Sequence, residues 1–348
     1  MTEDGVRATM RDVAALAGVS TKTVSNVVTG AANVRPGTRE RVEAAMARLD
    51  FVPNLSARGL RSGRSGVIAL ALPALDTPYS SELLHAIVEA AHRRGLSVQI
   101  EETATEPKRE RDLLARARAQ LVDGLVLNPV RLEDSVVAQA DRLPPIVMIG
   151  EVEAPGADHV RVDSVGAAAE ATRHVIAQGA RRVAVLGGDL ENPRATATSR
   201  LRLRGVTEAL SDAGLPFDPA RAIDPEQWTL EASERAVRAL LDRGAAFDAL
   251  VAFTDTLAMG ALRALSAHGV DVPRDVLLTG FDDVQLSRFT TPSLTTIAFD
   301  LVDFSEAVMD LLVSRMGDRD APPRSITLPH RLVVRESTRA VPRGSAPA

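Results

Sequence analysis

Apolar positions follow two different periods along this chain. Over residues 10–28 they come in two short groups at helical spacing, broken at Gly18. Val13, Ala14 and Leu16 give the first group one apolar face, and Val24, Val27 and Val28 give the second another. Gly18 stands where the chain leaves the first helix, a place that favours positive φ. Ser20 follows as an N-cap. The pattern predicts two short helices joined by a tight turn. After a loop at 33–38, a third helix is expected from about Arg39 to Leu49. Its stripe is Val42, Ala45, Met46 and Leu49, with Phe51 beyond. Three such helices close one small core.

From Val67 the period changes. Val67–Leu72 is an apolar run without helical spacing and predicts a buried parallel strand. A loop containing Asp76 and Tyr79 follows, then a helix to about Arg94 ended by Gly95. The same alternation predicts strands at 97–100, 124–127 and 145–149, with helices at 106–120 and 132–142. After a crossing near 161–163 it resumes: helix 165–178, strand 182–186, helix 200–213, a short strand near 220–223, helix 230–243, strand 249–253, helix 256–268 and strand 276–279. A helix at 300–316 and a single strand at 326–334 complete it, and 340–348 has no evident structure. Strands alternating with such helices predict doubly wound parallel sheets, and the repeated unit predicts two similar lobes. Between head and body, residues 53–66 read as a basic, glycine-rich linker. It has room for about two helical turns, too few to be stable alone.

Charge sharpens this division. The net charge is −5, yet residues 1–65 carry ten Lys or Arg against six Asp or Glu. A basic head on an acidic body fits a nucleic-acid-binding module attached to something that does not touch nucleic acid. Cysteine is absent, which excludes disulfides and thiol chemistry, and six histidines form no convincing metal cluster. Without a signal-peptide pattern or an apolar run long enough for a membrane span, the chain is expected to be cytoplasmic.

The outer face of the second helix carries Thr21, Lys22, Ser25 and Asn26, short hydrogen-bonding groups and one cation. Thr21, Lys22 and Asn26 suit base edges in a major groove. Asn pairs bidentately with adenine, and Lys donates to guanine. Thr9, Arg11, Thr23 and Ser25 suit phosphates. Taken alone, Lys22 is equally readable as a solvated surface lysine. In the body, several polar or aromatic residues follow strands, where open α/β sheets bind ligands: Asp76, Tyr79, Asn128, Asp163, Arg202, Thr254, Asp255, Asp282, Phe281 and Phe299, with Trp228 in a polar loop. An arginine, carboxylates and aromatic faces form a set suited to a polyhydroxylated ligand. Singly, an Asp after a strand is more often a helix N-cap. Asp255 and Asp283 are open to that reading, and Trp228 to being a hydrophobic lid.

Head, linker and body together resemble the LacI/GalR family of bacterial transcriptional regulators. The resemblance rests on Asp12-Val13-Ala14 through Gly18-Val19-Ser20, Thr23-Val24-Ser25, Pro53-Asn54 with Ala57-Arg58 and Leu60, and Arg202-Leu203-Arg204-Gly205. Further along it rests on Thr254-Asp255, Gly280-Phe281-Asp282-Asp283, residues 292–297 and residues 332–337. It implies a helix-turn-helix domain at 8–52, a hinge at 53–66 and an effector-binding and dimerisation domain at 67–339. Within that body it implies an N-terminal lobe of about 67–162 plus 299–323 and a C-terminal lobe of about 163–298 plus 324–339, like a periplasmic sugar-binding protein. It also implies a homodimer reading a near-palindromic double-stranded operator, with a small effector between the lobes. Leu60 becomes a minor-groove wedge flanked by Ala57 and Arg58, with Arg61 near phosphate; without the resemblance it could equally contact the body or a partner hinge. Arg202 and Asp282 match ligand-contacting positions. Three departures stand out: Arg35 where a capping serine is usual, Asp50 where glycine is usual, and Gly59 in the hinge. Thr254 replaces a frequent Asn, which points to a different hydroxyl pattern.

The expected function is a repressor of carbohydrate-related genes controlled by a sugar-like effector. A nucleoside, purine or other metabolite is the alternative effector, and a sugar-binding protein without DNA is the alternative role. An enzyme is disfavoured. Gly187-Gly188-Asp189 follows a strand, but G-x-G-x-x-G, P-loop, G-x-S-x-G and H-E-x-x-H patterns are absent. No cofactor and no membrane partner are expected. The tail lacks an apolar heptad, so a dimer rather than a tetramer is expected.

Overall fold

A computed structural model describes residues 8–28, 34–51, 64–104, 106–119, 121–129, 144–152, 156–189, 195–225 and 227–339. The chain divides into two units, residues 1–65 and 66–348.

In the first unit, α1 (Met10–Ala17), α2 (Thr21–Val28) and α3 (Pro36–Arg48) share one core of Val13, Ala14, Ala17, Val24, Val27, Val42 and Ala45. Thr9 starts α1 through a reciprocal capping box with Asp12: the Thr9 amide donates to the Asp12 carboxylate at 2.7 Å. Gly18 ends it with φ 65°. The Thr23 amide donates to Ser20 Oγ at 3.1 Å, so Ser20 caps α2. Leu16 departs from expectation: it is 42% exposed, and Ala17 takes the buried position. A residue at position 16 lies off the stripe that Val13, Ala14 and Ala17 present to the core. Arg35 precedes α3 without a capping bond, and Asp50 adopts φ 47°.

The second unit holds two six-stranded sheets of the same order. The first runs β2 (Ser97–Glu102), β1 (Val67–Leu72), β3 (Gly124–Leu127), β4 (Ile146–Ile149), β5 (Asp158–Val162) and β11 (Ser325–Leu328). The second runs β7 (Ala222–Ile223), β6 (Val183–Leu186), β8 (Ala249–Ala252), β9 (Leu277–Phe281), β10 (Thr295–Ala298) and β12 (Arg331–Val333). All pairings are parallel except β10 with β12. Helices α4 (Pro78–Arg93) and α10 (Leu301–Gly317) cover one face of the first sheet through Leu83, Ile87, Phe304 and Val308. On the other face α5 (Pro107–Arg118) packs Leu113 and Leu114. The second sheet is enclosed by α6 (Ser164–Ala177), α7 (Ala197–Asp212), α8 (Leu230–Asp242) and α9 (Asp255–Ala267). Helices α6 and α7 approach closely because residue 205 is glycine: a Cβ there would lie 2.2 Å from the Val165 carbonyl oxygen.

Three expectations are corrected. The crossing near 161–163 is preceded by a full strand, β5. Residues 295–298 form β10, which the apolar count missed because Thr295 and Thr296 are buried on hydrogen bonds rather than by hydrophobicity. The single strand at 326–334 is two strands in different sheets: β11 pairs with β5 and β12 with β10. The last crossing between lobes therefore lies at Pro329–His330, and the first lobe extends through Leu328 instead of stopping at 323. The expected helix at 132–142 and the hinge residues Ala57, Arg58, Leu60 and Arg61 lie outside the described residues.

Candidate functional site

The first unit presents α2 as its polar face. Thr21 and Lys22 are exposed in its first turn, with Asn26 half-buried one turn on. Val24 and Val27 hold the opposite side in the core. Arg11 is exposed on α1, and Ser25 is half-buried. The hydroxyls of Thr9 and Thr23 fold back onto Asp12 and Ser20 at 2.7 and 2.9 Å, so both also serve the helix starts. Those of Thr9 hold Asp12 below its usual carboxylate range.

In the second unit, the carboxyl ends of β1, β4, β8 and β9 bring polar groups of both lobes together. Arg202, in α7, is buried with its guanidinium carbon 3.4 Å from the centre of the Phe281 ring. Its Nε donates to Ser164 Oγ at 3.3 Å, and its Nη1 donates to the Phe253 carbonyl. Asp282 follows β9, is buried and has φ 115°; Asp283 follows it at φ 53°. Two successive non-glycine residues at positive φ mark a strained turn of the kind that gathers at binding sites. Arg202 and Asp282 feel each other's charge, yet no ion pair closes between them. Burial pushes Asp282 up to about 7, against the pull of Arg202 and with a further push from Glu82. Burial also raises the Tyr79 hydroxyl, with Asp282 and Glu151 adding to the effect and Arg202 opposing it. The Tyr79 ring stands edge-on to Phe299, 6.2 Å between centres, and Phe299 leans on Phe304 at 5.9 Å.

Other expected site residues sort differently. Asp255 is buried inside the second lobe, where it accepts the Val284 amide at 2.9 Å and the Thr296 hydroxyl at 2.6 Å. Burial and the nearby Asp282 raise its carboxyl well above the usual range. Thr254, not Asp255, caps α9, accepting the Leu257 amide at 3.2 Å. Asp163 is exposed and caps α6. Trp228 donates its indole N–H to Asp224 at 3.0 Å and packs on Phe253. Asp283 ion-pairs with Arg335. Asn128 follows β3, half-buried beside Gly150, and Asp76 is exposed in the loop before α4. Asp76, Leu75, Glu82, Gln285 and Leu286 line a groove of about 460 Å³ between the lobes.

Two participants escaped the sequence reading. Glu151 lies just past β4, the same strand-end signal used elsewhere. Its Oε1 accepts the Ser164 hydroxyl at 2.5 Å. Glu82 is an ordinary helix position with no sequence signal. The 335–338 segment supports the site from below. There the Thr295 amide donates to Ser337 Oγ at 2.8 Å, and Ser337 Oγ donates to the Leu278 carbonyl at 2.7 Å, fixing β9 and β10 beneath Asp282.

Comparison with known proteins agrees with this geometry. Residues 9–54 match the family "Bacterial regulatory proteins, lacI family", and residues 172–338 match a periplasmic binding protein-like domain. The chain is 32% identical over 340 residues to the HTH-type transcriptional repressor CytR of Escherichia coli, covering 96% of this chain and 97% of that one. It is 33% identical over 340 residues to the transcriptional regulator DegA of Bacillus subtilis, covering 96% and 98%. Among solved structures, the lac repressor dimer bound to operator superimposes with a TM-score of 0.84 at 29% identity, covering 96% of this chain and 99% of that one. Among the described residues no helix is long and apolar enough to cross a membrane. The chain belongs to the lacI family: it is a DNA-binding transcriptional regulator with an effector-binding body of periplasmic-binding-protein type.

Proposed function

We propose that this regulator is a homodimeric repressor of carbohydrate-related genes, released from or held on its operator by a polyhydroxylated effector bound between the two lobes. The observation that carries this reading is the pair Arg202 and Asp282. Arg202, inside α7, and Asp282, just past β9, are both buried and set near one another without an ion pair. Buried charges are costly unless hydrogen-bonded, and a ligand hydroxyl between them satisfies both. Tyr79 and Phe299 offer aromatic edges and faces to a sugar ring. A relative of 30% identity has been solved with cellobiose, which supports a sugar here. On the DNA side, Thr21, Lys22 and Asn26 read bases, while Thr9, Arg11, Thr23, Ser25 and Arg61 hold phosphates. Leu60, with Ala57 and Arg58, widens the minor groove. Such a protein works in the compartment that holds the DNA and performs no catalysis.

The effector shifts DNA binding only through its different affinity for the two lobe arrangements. The test is thermal denaturation with mono- and disaccharides, nucleosides and other small metabolites. A ligand at a hundred times its Kd adds about 2.7 kcal/mol of apparent stability. A sugar that stabilises the wild type and fails to stabilise Arg202→Lys and Asp282→Asn supports the site. Stabilisation that survives both substitutions contradicts it.

A further inference from the structure

We infer that this cleft selects an uncharged or amine-bearing polyol and rejects phosphorylated and carboxylated ones, and that Glu151 is one of the residues that set this choice. The inference rests on the sugar-like effector proposed above and adds its charge class.

The hydrogen bonding of Arg202 comes first. An arginine grips phosphate or carboxylate through two parallel N–H groups of its planar fork. Here Nε is committed to Ser164, Nη1 to the Phe253 carbonyl, and one face of the guanidinium to the Phe281 ring. The side-on fork through Nε and Nη2 is thereby closed to an anion, and what remains is an end-on approach through Nη1 and Nη2.

The charge balance comes second. Apart from Arg202 itself, the groups that act electrostatically on Tyr79, Arg202 and Asp282 are all acidic: Glu151, Glu82, Tyr79, and Asp255 and Asp282, whose burial favours their protonated forms. Asp255 is locked within the second lobe on Val284 and Thr296. Glu151 and Asp282 both act on Arg202, the one cation among the described residues that they reach; Asp282 is protonated below about pH 7, and Glu82 and Asp76 line the groove between the lobes. A dianionic phosphate brought here meets no second cation among the described residues.

The acceptor surplus comes third. Asp282 is more than nine-tenths buried; its carboxylate receives the Asp255 backbone amide but no donor side chain among the described residues. Glu151 engages the Ser164 hydroxyl through Oε1, which leaves Oε2 as an acceptor. Two carboxylates facing one cleft call for a ligand rich in donors, hydroxyls or an ammonium. Glu151 belongs to the first lobe and Ser164 to the second, so a ligand contacting Glu151 also senses how the lobes are set.

The test is calorimetric titration of the full-length protein with matched probes: hexoses and disaccharides, 2-amino-2-deoxyhexoses, hexose 6-phosphates and hexuronic acids, with nucleosides and their 5′-monophosphates. Each neutral or amine-bearing probe that binds is expected to exceed its phosphorylated or acidic counterpart by about tenfold or more, as like-charge contacts in a desolvated site require. In Glu151→Gln, whose amide oxygen can still accept the Ser164 hydroxyl, that ratio is expected to fall by about threefold or more, whatever the change in the neutral probe's own affinity. A purely structural role for Glu151 weakens all probes alike and overturns its assignment. A phosphorylated or acidic sugar that binds more tightly than its neutral form overturns the charge selection while leaving the sugar reading intact. Binding by nucleosides alone overturns the sugar reading, and the nucleoside-to-monophosphate ratio then tests charge selection by itself.

Discussion

Glu82 reaches across the mouth of the cleft: its Oε1 accepts the backbone amide of Gln285 at 2.7 Å. One residue lies on α4 of the first lobe, the other in the 3-10 turn Gln285–Arg288 of the second. This bond ties the lobes together beside Asp282. Glu82→Ala is expected to speed hydrogen exchange at the Gln285 amide and to lower the carboxyl pKa of Asp282, because Glu82 helps to raise it. Unchanged exchange at Gln285 contradicts the tie.

Stability should fall as pH rises toward neutrality. Asp282 titrates at about 7 in the folded chain against 3.8 as an unperturbed group, so the native state holds a proton that the unfolded state gives up. Its contribution is therefore full below about pH 4 and is lost as pH rises through about 7; Asp255 acts in the same direction. Asp282→Asn should gain stability relative to wild type between pH 5 and pH 8 in urea denaturation. A constant difference across that range refutes the assignment.

Asp158 is fully buried and paired with Arg315 at 2.8 Å and 3.1 Å, and it also accepts the Arg324 amide at 2.8 Å. Removing Asp158 takes the counter-charge from Arg315, whose remaining hydrogen bonds among the described residues go to the backbone carbonyls of Arg319, Ala321 and Pro322. Asp158→Ala should cost about 3–5 kcal/mol in chemical denaturation. A loss below about 1 kcal/mol would mean that the site admits water.

Asp50 stands at φ 47°, where side chains other than glycine are strained. Asp50→Gly should stabilise the first unit by up to about 1 kcal/mol, read from hydrogen exchange of α3 amides. An unchanged or faster exchange rate counts against strain at this position.

How legible was this in the sequence? The long α/β alternation was, because buried strands such as Val67–Leu72 and helices ended by glycines such as Gly95 carry strong local signals. The head was legible from the spacing of Val13, Ala14, Gly18 and Val24. Strands whose burial rests on hydrogen-bonded threonines, as at Thr295 and Thr296, were not. Nor was the crossing at Pro329–His330, since pairing partners 166 residues away for β11 and 33 to 37 away for β12 decide which sheet each half joins. In the cleft, Arg202 and Asp282 came from motif positions, and the structure sets them near each other. Asp255 shows the limit of strand-end reasoning: the rule placed it at the rim, but whether its carboxylate faces ligand or Thr296 depends on a loop elsewhere in the chain. Glu82 shows the converse, since a helical glutamate becomes part of the cleft only through tertiary packing.

The central claim is that a ligand held by Arg202 and Asp282 governs the grip of α2 on DNA. Fluorescence anisotropy with labelled operator, titrated with a stabilising sugar, tests it most directly. Wild type should change operator affinity in the presence of that sugar. Arg202→Lys should keep the operator affinity of the sugar-free wild type and show no response to the sugar, whereas Lys22→Ala should lose about 1–3 kcal/mol of base discrimination and keep sugar binding. An undiminished sugar response in Arg202→Lys would contradict the account.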